Sequence, residues 1–105
     1  MRILKTDQYD RWFRKIGDTQ AKARINARIR RIELAKGLIG DWKPVGEKVV
    51  ELRVNTGPGY RVYGHVRGTE FILLLIGGDK STQQFDIKKA KALLKEWEAQ
   101  NGSQR

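Results

Sequence analysis

The chain has 105 residues, with 22 Lys and Arg against 12 Asp and Glu, one His and no Cys, for a formal charge of +10. A length near that of one domain is enough to bury a core without covalent staples. The absence of Cys excludes disulfide frameworks, thiolate zinc sites and a thiol nucleophile. The longest apolar run, Phe71 to Ile76, falls far short of the ~20 residues that span a bilayer, and no apolar export segment follows Met1. The expectation is a soluble cytoplasmic protein without membrane association: one domain over residues 1–100 and a frayed tail over 101–105.

An extended segment is predicted for Arg2 to Lys5. Thr6 or Asp7 then caps a helix whose apolar residues Tyr9, Trp12, Phe13 and Ile16 recur at helical spacing, ending at Gly17. Asp18 or Thr19 caps a second helix with Ala21, Ile25, Ile29 and Ile32 on one stripe, closed by Lys36 and Gly37. The period changes at Val50, where Val50, Leu52 and Val54 alternate with Glu51, Arg53 and Asn55. After a turn at Asn55–Gly59 the alternation resumes with Tyr60, Val62 and Val66 against Arg61, Tyr63 and His65. Arg67-Gly68 marks a hairpin, and Phe71–Ile76 reads as a strand buried on both faces and stopped by Gly77-Gly78. Thr82 caps a last helix with Phe85, Ile87, Ala90, Leu94 and Trp97 inward. The order β-α-α-β-β-β-α defines an α+β domain with an antiparallel sheet packed against helices.

Charge supplies the first functional indication. Residues 1–41 hold 11 basic and 5 acidic groups, residues 42–80 six and four, and residues 81–105 five and three. Such a surplus attracts polyanions by counterion release from phosphates, although it also serves solubility and draws acidic proteins. The strand alternation puts Arg53, Arg61, Tyr63 and His65 on the sheet face opposite the core. With no helix predicted over that face, they form an exposed cationic surface, with Glu51 and Glu70 available as ion-pair partners. Arg24, Arg28 and Arg31 line one face of the second helix, where they are either solvated or in contact with RNA. Trp12 and Trp97 are expected to pack. Tyr60 is expected in the core, and Tyr63 to be free to stack on a base.

Three blocks occur in order along the chain: Gly40-Asp-Trp-Lys-Pro-Val-Gly-Glu-Lys-Val-Val-Glu-Leu-Arg53, Gly57-Pro-Gly-Tyr-Arg-Val-Tyr63 and Leu73-Leu-Leu-Ile-Gly-Gly-Asp-Lys-Ser-Thr-Gln83, the last followed by Asp86-Ile87 and Ala90. Together they resemble the RelE/ParE superfamily of type II toxin–antitoxin toxins, in its HigB-like branch of addiction module killer proteins, from about Trp12 to Trp97. The resemblance implies the RelE-like fold and a ribosome-dependent mRNA endoribonuclease, or mRNA interferase. It also implies neutralisation by a cognate antitoxin, often a helix-turn-helix protein, in a heteromeric complex. Carried over by position, Arg61 matches the strand arginine near the scissile phosphate, Arg53 a basic group of the neighbouring strand, and Lys80 a basic position after the last strand. Gly64 departs from the pattern, since related sequences carry an aromatic residue there.

Metal-free RNA cleavage needs a base for the 2′-hydroxyl, cations for the charge growing on phosphoryl oxygens and an acid for the 5′-oxygen. A two-histidine mechanism is impossible within one chain, because His65 is the only histidine. Arg53 and Arg61 are therefore expected to hold the phosphate through the arginine fork, with Lys80 as a further cation or proton donor. Glu51, Lys48 and His65 all stand open as the base, and Lys43, Lys48, Tyr63 and His65 are expected to contact RNA. There is no third glycine of a dinucleotide loop, no phosphate-binding Gly-x-x-x-x-Gly-Lys loop and no metal-ligand cluster, so no cofactor is expected. Two alternatives remain: a ParE-like gyrase poison acting by protein binding, and a non-catalytic basic protein that binds nucleic acid.

Overall fold

The computed structural model describes residues 1–102. Strand β1 (Arg2–Lys5) leads into helices α1 (Asp7–Arg14) and α2 (Thr19–Ala35), followed by strands β2 (Trp42–Gly46), β3 (Val49–Val54), β4 (Tyr60–Arg67) and β5 (Phe71–Asp79). A 3-10 turn at Lys80–Thr82 precedes helix α3 (Gln83–Trp97), and Glu98–Gly102 closes with a π-helical turn. Of the tail expected over 101–105, residues 103–105 lie outside the described residues. Among the described residues no helix is long and apolar enough to cross a membrane.

The α+β class stands, built on one five-stranded sheet of order β1-β5-β4-β3-β2. All neighbours are antiparallel except β1, which pairs parallel with β5. The N-caps follow side-chain chemistry. The Thr6 hydroxyl accepts from Tyr9 N–H at 3.0 Å and donates to the Leu75 carbonyl at 2.6 Å, starting α1 and fastening it to β5. Asp18 Oδ1 accepts from the N–H groups of Gln20 and Ala21, filling two of the orphan donors of α2. Lys36 ends that helix in the left-handed conformation, φ 59°.

Helices cover both sheet faces. On one, Tyr9, Ile25, Ile29 and Ile32 pack on Leu52, Val62, Ile72 and Leu74; on the other, Ala90, Leu93 and Leu94 of α3 pack on Val49, Tyr63, Phe71, Leu73 and Leu75. Each fully buried aliphatic side chain contributes roughly 1.5–3 kcal/mol. Interior strand β5 is apolar on both sides because it sees both layers, as its unbroken run predicts. Trp12 and Tyr60 meet edge to face, as do Phe71 and Trp97.

Four expectations need correction. Trp42–Gly46 is a strand, one more than the predicted order contains. It lies at the sheet edge with four of its five residues exposed, a place that tolerates Pro44 and buries no alternating row. Gly77-Gly78 does not stop β5, which runs to Asp79. A Cβ at Gly77 would collide with the Trp12 indole and one at Gly78 with the Asp86 carboxylate, so the pair lets α1 and α3 approach the sheet. Thr82 makes no side-chain cap, and Asp79 instead caps the 3-10 turn through Ser81 N–H. Phe85 is 67% exposed because Asp86 takes the inward position ahead of Ala90. Gly77→Ala should therefore destabilise the domain by about 2–3 kcal/mol through overpacking. The expected result is a lower urea midpoint at unchanged slope.

Candidate nucleic-acid interface

The register of β3 against β4 sets Arg53 opposite Arg61 and Glu51 opposite Tyr63, while that of β2 sets Lys43 opposite Glu51. Directly opposed residues share a face, so Lys43, Glu51, Arg53, Arg61 and Tyr63 stand together. This face is not open, contrary to the expectation. Helix α3 covers it from Gln83 onward, burying Tyr63 completely and leaving His65 8% exposed. The Tyr63 hydroxyl donates to Glu51 Oε2 at 3.0 Å, and burial, reinforced by the Glu51 charge, pushes the phenol pKa upward. Tyr63 is a buried strut and has no ring face to offer a base.

Glu51 is the centre of the cluster. Its carboxylate is fully buried. Oε2 accepts from Tyr63 and from Gln83 Nε2 (2.8 Å), and Oε1 from Arg53 Nε (3.3 Å). Arg61 Nε is 3.6 Å from Oε2. Burial alone would raise the carboxyl pKa, but the three donors and the Arg61 charge outweigh it and hold Glu51 below the usual carboxylate range. Three donors and the Arg61 charge converge on this one carboxylate, so Glu51 orients the arginines. Its complete burial leaves no carboxylate oxygen open to solvent.

Arg61 donates through Nη1 to the Gly59 carbonyl at 2.9 Å. Its Nε is one of two buried side-chain polar atoms without a hydrogen bond among the described residues. Gly59, at φ 82°, brings the turn over this arginine: a Cβ there would lie 3.4 Å from Arg61 Nη1 and 3.7 Å from Lys80 Cβ. Arg61 and Lys80 thus flank the same turn, and Arg53 lies across the ladder with its side chain 34% exposed. Arg53, Arg61 and Lys80 form one cationic corner, with exposed Lys43 on the adjoining edge strand.

Two expected RNA contacts lie elsewhere. Glu47 and Lys48, both at positive φ, form the tight β2–β3 turn. Lys48 Nζ pairs with Glu98 at 2.6 Å, while its carbonyl meets His65 Nδ1 at 2.9 Å. His65 is four residues along β4 from Arg61, roughly 13 Å at strand rise. Neither it nor Lys48 joins the arginine corner. Gly64 has a steric reason: a Cβ there would meet the Leu73 carbonyl at 3.0 Å, at the bulge where β4 and β5 change register. The tight neighbour accounts for the missing ring.

Sequence reasoning missed Gln83 and Asp86. Only the resemblance touched them, because neither charge pattern nor periodicity separates them from a solvated first turn. Asp86 is 6% exposed beside Gly78, and its Oδ2 accepts from the Thr82 hydroxyl. Burial raises its pKa, the Thr82 bond offsets part of this, and the Asp79 charge adds to the rise. Arg28, expected on a solvated or RNA-facing helix side, is buried. It donates to three backbone carbonyls: Ile39 at 3.2 Å, Arg53 at 2.5 Å and Asp41 at 2.7 Å. Among the described residues no three metal-ligating side chains cluster.

A five-stranded sheet sandwiched between helices is the architecture of the RelE fold. The structure superposes on a mutant of the Escherichia coli toxin RelE in the free state with a TM-score of 0.64, at 12% identity, covering 84% of this chain and 95% of that one. It also matches a chain of the intact E. coli RelBE toxin–antitoxin complex with a TM-score of 0.53, at 15% identity, covering 74% and 94%. A Haemophilus influenzae protein of unassigned activity is 46% identical over 96 residues, 91% of this chain and 95% of its own length. The chain belongs to the family of that protein. No protein-family profile matches it.

Proposed function

We propose that this protein is the toxin of a type II toxin–antitoxin module, of the HigB-like branch, and that it cleaves mRNA in conjunction with the ribosome. The observation that carries this reading is the cross-strand pair Arg53 and Arg61, held by one buried carboxylate and flanked by Lys80. Two guanidinium forks side by side suit the non-bridging oxygens of a phosphodiester. As the 2′-oxygen, its proton passed to solvent water, attacks phosphorus and the 5′-oxygen leaves, negative charge grows on the non-bridging oxygens, where fixed cations lower the barrier. Lys80 is exposed at the turn and is the one group of the three suited to protonating the leaving oxygen. All three are cations, which repel metal ions, and the chemistry is proposed to run without a cofactor. The likeness to RelE and to a chain of the RelBE complex supports a cognate antitoxin partner, with helix-turn-helix character expected from the resemblance.

The test is to induce the protein alone and map transcript ends. Codon-linked cuts in translated mRNA are expected. Double-stranded DNA breaks with intact mRNA would instead establish a gyrase poison, and the absence of both lesions would leave a non-cleaving nucleic-acid-binding protein.

A further inference from the structure

On the other side of Arg53, a cavity of about 360 Å³ opens between α2 and the end of β3, lined by Arg24, Arg28, Arg31, Asp41, Arg53 and Asn55 together with Ala27 and Val54. Four arginines face one aspartate. Arg28 forms a fixed floor: its donors are spent on carbonyl oxygens, which leaves its charge without a hydrogen-bonded carboxylate. Asp41 is already engaged, 3.9 Å from Arg53 Nη1. Arg24 and Arg31 are exposed, stand seven residues apart on one helix face, roughly 10 Å, and have no ion-pair partner among the described residues. Nearby Arg30 does have one, Glu33 at 3.1 Å, so the unpaired arginines of α2 are those that line the cavity.

We infer that this cavity is a second phosphate subsite, which takes the backbone of single-stranded RNA next to the cleaved bond, with Arg24 and Arg31 as its contacts. The inference rests on the reading of the Arg53–Arg61 corner as the place of the scissile phosphate. Arg53 lines the cavity and belongs to that corner, so a strand held at one reaches the other without leaving a basic surface. The polar lining favours a phosphodiester over an acidic protein, whose docking draws on an apolar contact core. The ligand chemistry is the phosphate backbone of a single RNA strand.

The experiment measures affinity against salt for a 2′-O-methyl hexanucleotide, which binds but lacks the attacking hydroxyl. It compares the full chain with the double variant Arg24→Gln, Arg31→Gln, and both exposed substitutions should leave the melting temperature unchanged. Each lost phosphate contact removes about 0.7 from the slope of log K against log salt for single strands. The double variant should therefore show a slope shallower by about 1.4, and weaker binding at low salt. A dinucleotide, too short to reach the cavity, should bind both proteins alike. An unchanged hexanucleotide slope overturns the subsite. So does a slope change confined to a short RNA duplex, which assigns the arginines to folded RNA, or one seen only with an acidic peptide. Transcript ends in cells report separately on the parent reading. Uncut mRNA with a reduced slope would remove the cleavage and keep the subsite, and cut mRNA with an unchanged slope would do the reverse.

Discussion

Replacing Glu51 by alanine should destabilise the domain by about 3 kcal/mol, the lower end of the cost of breaking a buried ion pair, and lower the melting temperature by roughly 15 °C. The side chain removed is the common acceptor of Arg53, Tyr63 and Gln83 and the counterion of Arg61. Its loss strands a buried phenol and a guanidinium whose side chain is only 13% exposed. The figure takes the lower end because Arg53 can turn outward. The pH dependence has a definite sign. The folded-state pKa of Glu51 is depressed, so its contribution is complete above the ordinary carboxylate range and is lost as pH falls through the folded value. Asp86 runs the other way: its folded pKa is raised, so acid first relieves the cost of burying its charge. Glu51→Gln should remove the acid-side loss and keep the gain from Asp86. Urea midpoints across that range check both. A Glu51→Ala protein as stable as the parent would show that the corner is held by something else.

Arg61→Ala should lower mRNA cleavage by about 10²–10³-fold, the range for removing one fixed donor to a transition-state oxyanion. The sequence alone predicts an alanine variant with its fold undisturbed, because alternation sets Arg61 off the core. The structure changes this, since Arg61 neutralises Glu51 and some stability goes with it. Arg61→Lys separates the two effects. It keeps a cation near the carboxylate and hence most of the stability, but loses the planar fork, so cleavage should still fall more than tenfold. Both variants are read by reporter-transcript cleavage after induction, with melting temperature as the control. Full cleavage by a folded Arg61→Ala protein would remove this residue from the reaction.

The sequence showed which residues share a face but predicted that face exposed, and α3 covers it. Alternation along Val50–Val54 and Tyr60–Val66 puts Arg53, Arg61, Tyr63 and His65 on one side, because side-chain direction in a strand is a local property. The covering helix is a tertiary fact. Its first turn meets the sheet with Gln83 and Asp86, polar residues that hydrophobic periodicity assigns to solvent, so Tyr63 and His65 looked exposed. Glu51 was legible as a partner for arginine, but its bond to Gln83 spans 32 residues and leaves no local trace. Strand β2 escaped for a related reason, since an edge strand carrying Pro44 buries no row of side chains to count. Arg28 reads as one of three surface arginines until the Leu38–Asp41 loop folds back and presents its carbonyls.

Strand β1 takes its place beside β5, with Arg2 opposite Phe71 and Lys5 opposite Leu74. The β1 segment thus finds its partner only after the intervening helices and strands have been made. The β3–β4 ribbon that carries both arginines closes between near neighbours, whereas β1 waits across 69 positions, a slow kind of contact to make. A chain cut short before Phe71 would carry its arginines on a ribbon with an unmet border and a bare apolar side. Such a fragment is disposed to clump.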